Sequence, residues 1–192
     1  MVNNYEIKRF KKDCYDIVTF WKEFQPNGIF SSWYNAEFIL RTNKFINIEH
    51  WMAYRKAVIF NDNETRDKVL AATAPATINF LSRNVNNFVQ EEWDKVKYNE
   101  LEEGNYLKFR QNDCERFALY ETNDALIMLA SPYDKEFGMG MSENEIRKTS
   151  MTEIHNILKF GMSKGGADNL LGKALMAVRD RLKQDNFIDG IY

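Results

Sequence analysis

Asn169-Leu170-Leu171-Gly172-Lys173-Ala174-Leu175-Met176-Ala177-Val178-Arg179-Asp180-Arg181-Leu182-Lys183 is the stretch whose reading decides the fold. Leu170, Leu171, Ala174, Leu175, Val178 and Leu182 recur at the helical period and make one apolar stripe. Arg179, Arg181 and Lys183 stand near its end, where a helix dipole favours cations. An amphipathic helix of this kind needs a layer to bury its stripe against. Upstream, Ala125–Ala130 is a compact apolar run that reads as a strand, followed by a loop over Ser131–Met141. Glu143–Lys164 is polar and weakly patterned, and reads as an inserted excursion.

Further upstream the helical pattern dominates. Gln90–Phe109 is the longest candidate, with Trp93, Val96, Leu101 and Leu107 inward and Gly104 weakening its middle. Asp113 caps a helix holding Phe117 and Leu119-Tyr120. Asp62 or Asn63 caps a helix to about Ala72, and Pro75 opens another that runs to Leu81. From Ile48 to Phe60, the residues Ile48, Trp51, Met52 and Ile59 approximate one helical face. The first quarter reads as β: a strand at Asp16–Trp21, then Glu37–Leu40 and Lys44–Ile48 flanking the polar turn Arg41-Thr42-Asn43. No repeat or Ser/Gly linker interrupts the chain. The expectation is a helix-dominated α+β single domain, residues 1–192, with one small sheet.

Composition narrows the function classes. At 192 residues, with 44% hydrophobic and 28% charged residues, the chain can build a core without metal or disulfide support. A net charge of −2 excludes a broadly basic, nucleic-acid-coating surface. Lys8, Arg9, Lys11 and Lys12 form one local basic cluster, which suits either a DNA backbone contact or a solvated arm. No apolar run approaches a membrane helix, and Met1–Glu6 lacks the order of a signal peptide. Cys14 and Cys114 read as buried thiols of a reducing compartment, so a cytoplasmic location is expected.

The chemistry-bearing residues are carboxylates, amines and aromatics. His50 and His155 are far apart and no Cys or His cluster has ligand spacing, so no metal is expected. Gly138-Met139-Gly140 lacks the third glycine of a dinucleotide fold. On a helix, Glu49 and Lys56 stand two turns apart, about 10 Å along the axis and nearly in line. They place an anion and an amine on one face, although a solvated helix edge accounts for the same pair. Ser131-Pro132-Tyr133-Asp134, followed by Gly138 and Gly140, suits a loop whose backbone N–H groups approach a phosphate, or an ordinary Pro/Gly turn. Gly28-Ile29-Phe30-Ser31-Ser32-Trp33 could wall a pocket or pack a core. Trp93 poses the same choice between a stacking platform and a core tryptophan.

Taken in order, these stretches resemble the NADAR (NAD- and ADP-ribose-associated) family, which includes YbiA-like proteins. The matching residues begin with Gly28-x-Phe30-Ser31-x-Trp33, then Glu49-His50 with Lys56. Leu81-x-Arg83-x-Val85, Trp93 and Gly104-Asn105-Tyr106-x-Lys108-Phe109-x-Gln111-Asn112 follow. Ser131-Pro132-Tyr133-Asp134-x-x-Phe137-Gly138-x-Gly140 and Asn169-Leu170-Leu171-Gly172-Lys173-Ala174 complete the set. The family often has Gln or Asn where Ser32 stands, Trp where Phe137 stands, and Trp-x-Gly where Lys164–Asp168 approaches the last helix.

The resemblance implies a YbiA-like fold with a small antiparallel sheet and cleavage of a base–ribose N-glycosidic bond without a cofactor. By resemblance, Glu49 and Asp134 match acidic catalytic positions and Lys56 a family lysine. Phe30, Ser31, Trp33, Arg83, Trp93, Tyr133, Gly138, Gly140 and Asn169 match substrate-binding positions. One branch removes ADP-ribose from guanine in nucleic acid, opposing an ADP-ribosyltransferase toxin, and another hydrolyses early riboflavin-pathway ribosides. The Ser-Pro-Tyr-Asp loop looks closer to the first, which implies ADP-ribosylated guanine in DNA as substrate, ahead of a small riboside phosphate. A catalytically idle module that binds NAD or ADP-ribose is the reading from a different class.

Overall fold

The computed structural model describes residues 6–188; residues 1–5, in which a signal peptide's order was sought, lie outside them. In chain order the elements are β1 (Phe10–Lys12), β2 (Tyr15–Phe20), β3 (Phe38–Leu40), β4 (Asn43–Phe45), α1 (Ile48–Ile59), α2 (Asn63–Ala71), α3 (Pro75–Arg83), α4 (Gln90–Gln111), α5 (Asp113–Tyr120), β5 (Leu126–Leu129), α6 (Glu143–Lys148), α7 (Met151–Phe160) and α8 (Leu170–Ile188). Helices dominate, as expected, while the strands form two small sheets and not one. Within the span expected as one domain, the residues group into two compact units. One holds the described residues up to Ser31 with those from Arg116 onward, and the other is Ser32–Glu115.

The first unit is built on a three-stranded sheet in the order β1-β2-β5. β1 and β2 run antiparallel, whereas β2 and β5 run parallel, pairing Ile17 with Leu126 through Phe20 with Leu129. The antiparallel sheet expected is therefore mixed here. Strand direction depends on a partner more than a hundred residues away, which local alternation does not encode. Ile17, Val18, Thr19 and Phe20 are buried in succession, as in a strand covered on both faces. β1 is an edge strand hidden in the basic cluster. Lysines on an edge keep it solvated and block pairing with other chains.

α8 lies on β5, and three residues of the deciding stretch explain why. Gly172 lets the helix touch the strand, since a Cβ there would stand 2.1 Å from the Ile127 carbonyl oxygen. Asn169 holds the left-handed φ of 48°. Its side-chain amide donates to the Ile127 carbonyl at 2.9 Å and accepts from the Leu129 N–H at 3.1 Å. Arg179, 5% exposed, donates to the Thr122 hydroxyl at 2.9 Å and the Ala125 carbonyl at 3.0 Å.

Two expectations are corrected in this unit. Glu143–Lys164 is no excursion: Ser142 and Glu145 form a reciprocal capping box on α6, and Ser150 caps α7. Ile146, Met151 and Ile154 are buried with Ile17, Met128, Ala130 and Met139. Only a few apolar positions of this polar stretch point inward, so periodicity is diluted while burial is complete. Cys14, in the β1–β2 turn, is exposed rather than buried, and so is Cys114 of the Ser32–Glu115 unit, in the first turn of α5.

The second unit centres on α1. Asn47 caps it by accepting from the His50 N–H at 3.0 Å. Its buried face comprises Ile48, His50, Trp51, Met52, Ala53 and Ala57, and the two alanines, each 0% exposed, admit α2 and α3 closely. β3 and β4 form a separate hairpin with a two-residue turn, Arg41 taking a left-handed φ of 57°. α4 keeps Gly104 because the Trp51 indole lies on it: a Cβ there would stand 2.4 Å from Trp51 Cδ1. Of the positions expected inward on α4, Trp93 and Leu101 are buried, while Val96 and Leu107 are half-buried and Lys108 is buried instead.

Candidate functional site

Within the Ser32–Glu115 unit, Glu49 and Lys56 occupy one helix, as their spacing implies. Glu49 lies half-buried in the first turn of α1, and its backbone N–H donates to the Ser32 carbonyl at 3.2 Å. The Ile48 N–H donates to the same oxygen at 3.1 Å, so the Ser31-Ser32-Trp33 segment fixes the start of the helix. His50 fixes it from the other side. Its Nδ1 accepts from the Ile46 N–H at 3.3 Å, which makes Nε2 the donor to the Val69 carbonyl at 2.7 Å. Burial holds this imidazole below the usual histidine pKa against the opposing effect of the Val69 bond, so it is a neutral structural residue.

Lys56 projects from the last turn of α1 into a box. Its Nζ donates to the Ser82 carbonyl at 3.3 Å and stands 4.5 Å from the Phe88 ring centre and 5.3 Å from that of Trp93. A carbonyl oxygen and two ring faces all complement an ammonium ion. Trp93 is 6% exposed at the start of α4, so its partner is Lys56 and it offers no open stacking face. Arg83 ends α3 exposed, one residue beyond the Ser82 carbonyl that binds Lys56. Trp33 is half-buried and packs on Ala53, Val69, Ala72 and Ile78, a core role.

Sequence reasoning offered Asp62 as a helix cap but missed its second role, and it missed the burial of Lys108 in this unit. Asp62, 5% exposed, accepts from the Thr65 N–H at 3.0 Å and from the Asn86 N–H at 2.8 Å. One carboxylate thus caps α2 and pins the loop that brings Phe88 to Lys56, and the Asn86 and Thr65 bonds hold its pKa down. Lys108 is 0% exposed beneath the Tyr34 and Phe109 rings, and burial pushes its pKa down to about 7 against the charge of Glu115. The available signal was register: Leu101, Asn105 and Lys108 share the buried face of α4, where a lysine is out of character.

The other unit carries the remaining matched residues. Phe30 and Ser31 are 1% and 4% exposed, and Phe30 meets Phe20 edge-on at 6.0 Å, so Phe30 is a core residue. Asp134 is half-buried in the loop after β5. Its Oδ1 accepts from the Glu136 N–H at 3.0 Å and the Phe137 N–H at 2.8 Å, while its carbonyl accepts from the Gly140 N–H at 2.7 Å. The Met139 N–H donates to the Leu129 carbonyl at 2.9 Å. Four N–H groups of this loop therefore bind protein oxygens, which favours the turn reading over the phosphate cradle. Gly138 is required by packing, a Cβ there falling 2.8 Å from the Leu129 carbonyl oxygen, and Gly140 by its φ of +62°. Tyr133, beside Asp134, is 88% exposed. Asn169 is 1% exposed with both ends of its amide on β5, so it holds the fold.

Among the described residues no group of three or more His, Cys, Asp or Glu could hold a metal ion, and no helix is long and apolar enough to cross a membrane.

Three comparisons bear on these arrangements. The NADAR domain profile matches residues 19–183. An N-glycosidase of Acanthamoeba polyphaga mimivirus is 32% identical over 161 residues, 81% of this chain and 88% of the relative. An N-glycosidase of Nostoc punctiforme is 27% identical over 175 residues, 91% of this chain and 98% of the relative. The NMR structure of the Escherichia coli protein YbiA superposes with a TM-score of 0.72 at 19% identity, covering 97% of this chain and 95% of that one, a likeness of fold.

Proposed function

The chain belongs to the NADAR domain family, and on that premise we propose that it is an N-glycosidase that removes ADP-ribose from ADP-ribosylated guanine in DNA. The observation that carries this reading is the Glu49–Lys56 helix, which brings two family positions together and sets Lys56 against a third, Trp93. Two curated relatives named N-glycosidase support the reaction type, and the Ser131-Pro132-Tyr133-Asp134 loop supports the choice of substrate.

Hydrolysis breaks the bond between the ribose anomeric carbon and the base nitrogen. Water adds its oxygen to that carbon, and the base leaves with a proton. Positive charge develops on the sugar as the bond lengthens, and a carboxylate in a partly dry setting stabilises it. Glu49, half-buried and held by its own backbone hydrogen bond, is assigned this task. Asp134 is assigned orientation and proton transfer, through Oδ2, because Oδ1 is occupied by its loop. Lys56, boxed by a carbonyl and two rings, is assigned to hold an anionic group of the substrate. An opened ribose trapped on its amine as a Schiff base is the second role, and borohydride reduction in the presence of substrate reads it directly.

The test measures release of ADP-ribose from an ADP-ribosylated oligonucleotide beside turnover of a ribosylaminopyrimidine phosphate at equal concentration. The oligonucleotide is expected to be the better substrate. Glu49→Gln is expected to lower turnover at least about 100-fold while leaving the melting temperature unchanged. Faster turnover of the pyrimidine riboside refutes the choice of substrate. Heat-shift stabilisation by ADP-ribose without turnover of either compound refutes the enzyme.

A further inference from the structure

Because β2 and β5 are parallel neighbours, the segments that follow them leave the sheet at the same, carboxyl end. Trp21 follows β2 and Tyr133 follows β5, and their rings meet with centroids 6.3 Å apart at 48°. Lys22 places its Nζ 4.9 Å from the Trp21 ring centre and 5.8 Å from that of Phe24. Phe24 is 75% exposed and Tyr133 88% exposed. The loop holding Phe24 out is ordered: the Gln25 N–H donates to the Lys22 carbonyl at 3.0 Å and the Gly28 N–H to the Gln25 carbonyl at 2.9 Å. Asn27 then ties this loop to Lys8, accepting from its N–H at 2.9 Å and donating to its carbonyl at 2.7 Å.

Single exposed aromatics are ordinary on protein surfaces. Here two separate segments bring two exposed aromatics, Phe24 and Tyr133, to the half-buried Trp21, with the Lys22 ammonium over the Trp21 and Phe24 rings, which is a different arrangement. Exposed ring faces suit any nucleobase, because every base has a π-face, and an adjacent lysine suits the phosphate between bases. A duplex hides those faces in its stack. Glu23 and Glu136 keep the neighbourhood from being broadly basic, consistent with contact to a short segment of strand and not to a long tract.

We propose that Trp21, Phe24 and Tyr133, with Lys22, form a stacking platform for single-stranded DNA beside the Asp134 loop. Two or so bases of the strand carrying the modified guanine would stack there, so the inference rests on the substrate reading above and names how that strand is held.

The test is fluorescence anisotropy of a labelled oligothymidylate, its duplex and the matching RNA strand, titrated with the full chain across a range of salt. The DNA single strand is expected to bind at least tenfold tighter than the duplex. Phe24→Ala and Tyr133→Ala are each expected to weaken it by about tenfold. Lys22→Gln is expected to reduce the slope of log affinity against log salt by about 0.7, the loss of one phosphate contact. Unchanged affinity in both alanine variants, whose melting temperatures confirm the fold, overturns the platform, as does equal binding of the duplex. Tighter binding of RNA overturns the choice of DNA. ADP-ribose release from a modified oligonucleotide, measured on the same preparation, separates the two proposals: release without strand binding refutes the platform alone, and strand binding without release refutes the substrate reading alone.

Discussion

Gly104→Ala is a sharp test of how α1, the helix that carries Glu49 and Lys56, is seated. Elsewhere in an exposed helix this change would stabilise by about 1 kcal/mol, because glycine loses more backbone entropy than alanine. Here the new Cβ would lie 2.4 Å from Trp51 Cδ1, 2.6 Å from Nε1 and 3.0 Å from Cγ. Ordinary carbon contacts begin near about 3.5 Å, so the indole or α4 must move by about 1 Å. The indole is poorly placed to yield: it is 1% exposed, its Nε1–H donates to the Glu100 carbonyl at 2.8 Å, and the rings of Phe38 and Phe45 abut it. Overpacking of this kind costs about 1–3 kcal/mol, and the rigidity of the site places it towards the upper end. Net of the propensity gain, a loss of about 1–2 kcal/mol is expected, or about 2–8 °C in melting temperature. Urea denaturation and calorimetry measure it. In a Trp51→Phe background, where the smaller ring makes room, the same substitution should cost at least about 1 kcal/mol less. A stability equal to or above the parent would refute the reasoning. Because Trp51 lies between Glu49 and Lys56 on α1, turnover is expected to fall along with stability.

Two further outcomes follow from buried polar groups. His50 titrates lower in the folded chain than its unfolded value of 6.5, so its contribution is complete above pH 6.5 and is lost as pH falls towards the folded pKa. Wild-type melting temperature should therefore drop below pH 6.5 with a component that His50→Gln lacks; identical slopes would remove His50 as the cause. Asn169→Ala leaves the Leu129 N–H and the Ile127 carbonyl unpaired and forces alanine to a φ of 48°. A loss of about 2–4 kcal/mol in urea denaturation is expected. Full stability with weakened ligand binding would instead return Asn169 to the substrate.

Much of the site was legible because it is local. Glu49 and Lys56 share a helix face by arithmetic alone, once Ile48, Trp51, Met52 and Ile59 mark residues 48–60 as helical. Their chemistry was legible only through the family resemblance, which the comparisons bear out at the level of family and reaction type. The phosphate-cradle reading of the Asp134 loop was locally as good as the turn reading. What decided it was where four N–H groups point, and one of those bonds runs to Leu129, outside the loop.

The amino-acid order by itself determined the helices with dense stripes, the capped start of α2, and the polar turn at Arg41-Thr42. These depend on interactions within a few residues, which the chain carries wherever it folds. Tertiary structure alone decided that β2 and β5 run parallel, that Ile146 and Ile154 are core in a polar stretch, and that Lys56 is closed in by Phe88 and Trp93. Those outcomes depend on partners tens of residues away, and the free energy of burial is proportional to the area they cover together, which no single segment specifies.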